Sequence, residues 1–322
     1  MPRLLSLCVA VLACLGLSLS AADRPPNILM IVSDDHAWFD YGFMGSKAVS
    51  TPHLDKLAAE SRLFPRGYVT NSLCGPSLAS MLTGRHVHRH GITGNDPRMP
   101  AVQGAKSAGQ AAAARQKSAA FLEGRAQMIK LFQQSPILPR LLGEQGYVSL
   151  QTGKWWMGPY QTGGFTEGMT KGGRHGDDGL DIGRKTLAPL TDFISRAKKD
   201  GKPFFAWYAP MMPHDPHTPP ERLLAKYRDK SPTPQAAKYH AMVEWFDETI
   251  GEVRAHLAER RSGDHPLAAR SLSQTLSAIR GFHGFLDRRC GTPAPARCLR
   301  PSGHRPTSPP PSIIWIPMTS RS

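Results

Sequence analysis

Cysteine is almost absent from the body of this 322-residue sequence. Cys8 and Cys14 lie in the first 22 residues and Cys290 and Cys298 in the stretch 261–322, which leaves Cys74 alone between them. A small disulfide-stapled domain is therefore excluded. A solitary thiol is either a buried, inert apolar group or a group whose chemistry matters. Long apolar runs are also scarce. The one at residues 4–19 follows Arg3 and precedes the small residues Ser20-Ala21-Ala22, the pattern of a cleaved signal peptide over residues 1–22. It is too short to span a bilayer and lacks a stop-transfer flank, so export without stable membrane insertion is expected, to the periplasm or the outside.

Residues 261–322 contain no Lys, Glu, Asn, Val or Tyr. Ordinary disordered tails keep Lys and Glu. An Arg/Pro-rich stretch stripped of Lys and Asn is what a shifted reading frame in a GC-rich gene yields, with the shift near residues 260–263; a genuine low-complexity tail is the alternative, and either is expected to be disordered. Its nine arginines against two aspartates supply +7 of the net charge of +15. In the remainder, Lys and Arg are scattered among acids with no basic stripe interleaved with aromatics, so no nucleic-acid partner is expected. An anionic small substrate or a polyanionic glycan suits such a surface better.

The segments present alternate between two patterns. Residues 27–32, 147–150 and 203–208 are short apolar runs, read as strands buried on both faces. Helices are expected from Thr51-Pro52, with Thr51 as N-cap, from Pro76 to Thr83 with Gly84 as the stop, and around residues 138–144, 187–199 and 235–259. The last carries the stripe Met242, Phe246, Ile250, Val253 and Leu257. Residues 101–128, rich in Ala, Gln, Gly and Lys, read as a low-complexity surface insertion, partly helical. Strands alternating with helices give an α/β fold with a mostly parallel central sheet flanked by helices, spanning 23–260. Ligands in such sheets sit beyond the carboxyl ends of the strands. Asp34-Asp35, Gly153-Lys154 and His214/His217 all fall at such ends.

Paired carboxylates suit a hard divalent cation, although an acidic turn is the commoner reason for such a pair. Cys74 precedes a helix N-terminus, where free N–H groups favour an anion. Lys154 and His214 could meet an anionic group, or be a solvated lysine and a loop cap. Together the aspartates, cysteine, lysine and histidine suggest cleavage of a sulfate or phosphate ester beside a metal.

The motifs make that more specific. Pro-Asn-Ile-Leu before Asp34-Asp35, the run from Thr51-Pro52-His53 to Leu57-Ala58, Cys74-x-Pro-Ser, Leu82-Thr83-Gly84-Arg85 with His90-Gly91, Thr152-Gly153-Lys154-Trp155 and Pro213-His214-x-Pro-His217 occur in that order. This set, from residue 24 to about 260, resembles the sulfatase family of the alkaline-phosphatase superfamily. The resemblance implies conversion of Cys74 to formylglycine by a formylglycine-generating enzyme. Asp34, Asp35 and modified Cys74 would bind calcium, or magnesium in its place. Lys154 and His214 would hold the sulfate of a sulfated small molecule or polysaccharide, with His217 a further contact. The implied activity is that of an arylsulfatase-like sulfuric ester hydrolase, the alternatives being an inactive sulfated-glycan-binding protein and a phosphoester hydrolase of the same superfamily.

Three positions depart from the family pattern. Leu78 stands where the motif ends in Arg, and Trp156 where it has His, although an indole N–H can still donate one hydrogen bond. The Asp-Asn pair and the later Lys find no counterpart in residues 261–322, so most of a C-terminal subdomain is expected to be missing. Residues 101–128 and 163–178 are the segments expected to shape substrate choice.

Overall fold

The computed structural model describes residues 25–65, 67–99, 107–259 and 313–317. In chain order the elements are β1 (Ile28–Ser33), α1 (Pro52–Ala59), α2 (Cys74–Thr83), α3 (Val87–His90), α4 (Ala108–Gln116), α5 (Ala119–Gln133), α6 (Leu138–Gly143), β2 (Val148–Gly153), β3 (Glu167–Gly168), α7 (Ala188–Lys199), β4 (Phe204–Ala209), α8 (Glu221–Tyr227), α9 (Pro234–Glu259) and β5 (Ile313–Pro317). The strands form one parallel sheet in the order β3-β2-β4-β1-β5. This is the α/β class that the apolar runs indicated.

The runs are continuously apolar because both faces of the sheet are covered. Successive side chains of a strand point to opposite faces. Leu29 and Ile31 of β1 and Phe204, Ala206 and Tyr208 of β4 meet α1, α7 and α9 through Leu54, Phe193, Phe246 and Ile250. Met30, Val32, Phe205, Trp207 and Ala209 face the other way, against Leu78 and Leu82 of α2 and Phe132 of α5. Each large side chain so buried contributes about 1.5–3 kcal/mol, and the two clusters hold the strands in fixed register. Four of the five residues in the expected α9 stripe are fully buried; Leu257 packs at the edge.

Two local expectations change. Thr51 does not cap α1 with its side chain. Its hydroxyl accepts from Gly42 N–H and donates to Asp55, while the free amides of His53 and Leu54 donate to the Asp247 carboxylate on α9, at 3.1 and 2.7 Å. The cap comes from almost two hundred residues away. Residues 101–128 contain α4 and most of α5, where the buried Phe121 and the Arg125 guanidinium, donating to Trp156 O at 3.2 Å, tie the helix to the body.

Within the tail, residues 313–317 pair with β1 from Leu29↔Ile313 to Ser33↔Pro317, a strand its composition did not announce. The signal-peptide reading of residues 1–22, the frameshift reading, and the rest of 261–322 fall outside the described residues.

Candidate active site

Because β2, β4 and β1 lie side by side, their carboxyl ends meet. The chain leaving β1 at Asp34 donates its amide to Met212 O at 2.9 Å, and the chain leaving β2 at Lys154 donates to Ala209 O at 2.7 Å. Gly153 makes the second approach feasible: its φ is +76°, and a Cβ there would stand 1.8 Å from Ala209 O. Asp34, Lys154 and the segment after β4 are thus fastened to one another by backbone before any side chain acts.

At the centre is a fully buried ion pair. Lys154 Nζ lies 2.8 Å from Asp34 Oδ2, with the side chains 0% and 1% exposed. Burial raises the pKa of Asp34, opposed mainly by the charge of Lys154. The Cys74 thiol, the first residue of α2, donates to Asp34 Oδ1 at 3.5 Å. Burial and the neighbouring Asp34 carboxylate push that thiol up to about 12, so the unmodified side chain is a neutral S–H at physiological pH. The next amide, that of Gly75, donates to Asn95 Oδ1 at 2.6 Å, which seats the helix start.

Asp35 takes a left-handed conformation, φ +54°, a strained choice for a non-glycine residue. Its carboxylate meets His214 Nε2 at 3.3 Å. His214 sits on the loop after β4, held by Arg184, whose guanidinium donates to the carbonyls of Met211, His214 and Pro216 at 2.5–3.0 Å. Ligand atoms of Asp34, Asp35, Cys74 and His214 all lie within 4.8 Å of one another. Two carboxylates in such a group match the oxygen preference of a hard cation. The Cys74 sulfur does not, whereas an oxygen at that position would.

Five of the six residues singled out from the sequence therefore come together: Asp34, Asp35, Cys74, Lys154 and His214. His217 is not among those ligand atoms; its ring stands 5.7 Å from that of Tyr239. Leu78 is buried against the sheet in the cluster that includes Met30, Val32 and Trp156, a site shaped for an apolar side chain.

Within residues 163–178, a segment expected to shape substrate choice, sequence reasoning singled out no individual residue after β3. Arg174 donates to both oxygens of the Asp96 carboxylate through the Nε–Nη2 edge of its guanidinium, at 2.8 and 2.9 Å, and lies over the Trp156 ring, 4.8 Å from its centroid. The His175 ring stands 4.4 Å from that of Trp156 and 6.3 Å from that of His214. The density of glycine and charge in Gly172-Gly173-Arg174-His175-Gly176-Asp177-Asp178-Gly179 was the available signal of a tightly turned polar loop.

The sulfatase family model matches residues 26–265, which contain every residue of this cluster. The chain belongs to the sulfatase family. It is 29% identical over 294 residues to the N-acetylgalactosamine-6-sulfatase of Canis lupus familiaris, covering 79% of this chain and 51% of that enzyme. The N-acetylglucosamine-6-O-sulfatase of Bacteroides thetaiotaomicron is 27% identical, with 78% and 42% covered. This sulfatase chain thus spans about half the length of the curated relatives it matches. Among solved structures, Ps i-CgsB in complex with k-i-k-neocarrahexaose superposes with a TM-score of 0.56 at 23% identity, over 75% of this chain and 56% of that one, a likeness of fold. Among the described residues of this sulfatase, no helix is long and apolar enough to cross a membrane.

Proposed function

We propose that this chain is a sulfuric ester hydrolase, arylsulfatase-like, acting through a formylglycine made from Cys74 on a sulfated sugar or sulfated polysaccharide. The observation that carries the reading is the meeting of Asp34, Asp35, Cys74, Lys154 and His214 at three adjacent strand ends. The names of the two curated relatives, both sugar 6-sulfatases, support the substrate class. Export is proposed from the apolar run at residues 4–19.

Modification by a formylglycine-generating enzyme is part of the proposal because the run Cys74-x-Pro-Ser resembles the segment on which such an enzyme acts. One hydroxyl of the hydrated aldehyde forms a bond to sulfur while the bond from sulfur to the alcohol oxygen breaks, and the alcohol leaves with a proton. The second hydroxyl then loses its proton, the aldehyde C=O re-forms, sulfate departs, and water rehydrates the aldehyde. Lys154 supplies fixed positive charge to the sulfo oxygens in a water-excluded corner, where it is worth most. His214, on the more open side, is placed to hold a sulfo oxygen and to pass a proton to the leaving alcohol. Asp34 and Asp35, with an oxygen of modified Cys74, would hold calcium or magnesium, which when bound adds positive charge beside the nucleophile.

The test is hydrolysis of an aryl sulfate by the chain produced together with a formylglycine-generating enzyme. Turnover that disappears in Cys74→Ala is expected. Turnover unchanged in Cys74→Ala would sink the proposal.

A further inference from the structure

The segment that delivers His175 is built at a conformational cost. His175 (φ +70°) and Asp177 (φ +48°) are both left-handed non-glycine residues, with Gly176 between them at φ +122°. Such strain persists only where surrounding contacts over-determine it. Here the Asp177 carboxylate accepts from the amides of Lys171 and Gly173, at 2.9 and 2.7 Å, and from the Thr170 hydroxyl at 3.2 Å. His175 O accepts from Trp155 N–H at 2.9 Å. A Cβ at Gly176 would meet Gly153 O at 2.4 Å, so the loop lies directly on the end of β2. Arg174 anchors its other side to Asp96, the neighbour of the Asn95 that seats Cys74. The net effect is to set one imidazole between Trp156 and His214.

The tautomer of that imidazole follows from its partner. Arg174 Nη1 lies 2.8 Å from His175 Nε2, and a guanidinium can only donate. Nε2 therefore accepts, the ring is neutral, and the proton sits on Nδ1. Burial, with the charges of Lys154, Arg174 and His214 adding to it, lowers the pKa of His175 to about 3, in keeping with a neutral ring. Nδ1–H has no protein hydrogen-bond partner among the described residues. Beside it, Trp156 is 3% exposed and its indole N–H is likewise without a partner. A buried donor such as the Trp156 indole is costly unless something accepts from it, and Lys154 Nζ lies 6.0 Å from the centre of that ring.

We infer that His175 and the indole of Trp156 form a second, uncharged half of the sulfo-group site, donating to sulfo oxygens that Lys154 and His214 face from the other side. The inference rests on the sulfuric ester hydrolase reading and adds two substrate-contacting residues to it. Neutral donors of this kind orient a tetrahedral anion without adding cationic charge that would hold the product sulfate too tightly. Asn95-Asp96, the 170–178 loop and Trp156 then act as one unit that couples the start of α2 to sulfo-group recognition.

The experiment is calorimetric titration of the full chain with inorganic sulfate, alongside thermal unfolding of each variant. His175→Ala is expected to weaken sulfate binding about tenfold, the value of one or two hydrogen bonds to an anion. His175→Asn should bind within about twofold of wild type, because Asn tolerates left-handed backbone, keeps an acceptor for Arg174 and offers an N–H donor. A purely structural role for His175 would shift the unfolding midpoint and leave sulfate affinity unchanged, which overturns the inference. If His214→Ala loses sulfate binding and His175→Ala does not, the inference fails while the sulfo-group site stands. If wild type binds no sulfate, the site reading and the inference fall together.

Discussion

The two acid–base pairs at the strand ends are a few ångströms apart and physically unlike. Asp34–Lys154 is sealed, both side chains immediately follow strands, and backbone bonds between neighbouring strand exits fix their separation. Asp35–His214 is looser: at 3.3 Å, with side chains 32% and 17% exposed, it joins a strained residue to a loop. The sheet makes the first pair and the loops make the second. The sealed pair can supply charge that water does not screen, whereas the open pair can exchange protons and admit a leaving group. The proposed hydrolysis draws on both.

The contrast can be broken by substitution. Lys154→Ala leaves Asp34 as an uncompensated buried charge and is expected to cost about 3–5 kcal/mol of stability, read by denaturant unfolding. His214→Ala, by comparison, should cost less than about 1 kcal/mol, because a partly exposed pair contributes little. Equal losses from the two would erase the distinction. Arg184→Ala falls between them. It removes the donors that hold the carbonyls of Met211, His214 and Pro216 and is expected to cost about 1–3 kcal/mol. It should also reduce aryl sulfate turnover through misplacement of His214, an effect that leaves the stability of the Asp34–Lys154 corner untouched. Unfolding and turnover measured on the same variant separate the two.

What was legible in the sequence follows the same division. Apolar runs such as 27–32 and 203–208 announce strands because burial on both faces leaves no room for polar side chains, and Asp34, Lys154 and His214 were legible by lying where those runs stop. Cys74 was legible by its isolation and its place before a helix. The features missed depend on distant chain. Asp247 caps α1 from the far end of the sequence, so Thr51, locally the better candidate, was the wrong one. An Ala- and Gln-rich stretch gave no sign that Arg125 would hold the backbone of Trp156. The left-handed turn at His175 exists because Asp177 folds back onto Lys171 and Gly173, a relation that no spacing rule expresses. Leu78 looked like a defect in a motif and is a well-packed core residue of α2.

The central claim is that Cys74 is the precursor of the nucleophile rather than a packed thiol. Mass spectrometry of the Cys74-containing peptide, from chain produced with a formylglycine-generating enzyme, tests it most directly. The account predicts an aldehyde, or its hydrate, in place of the thiol, despite Leu78. A peptide that retains an unmodified thiol while an unrelated sulfatase is converted in the same cells would contradict it.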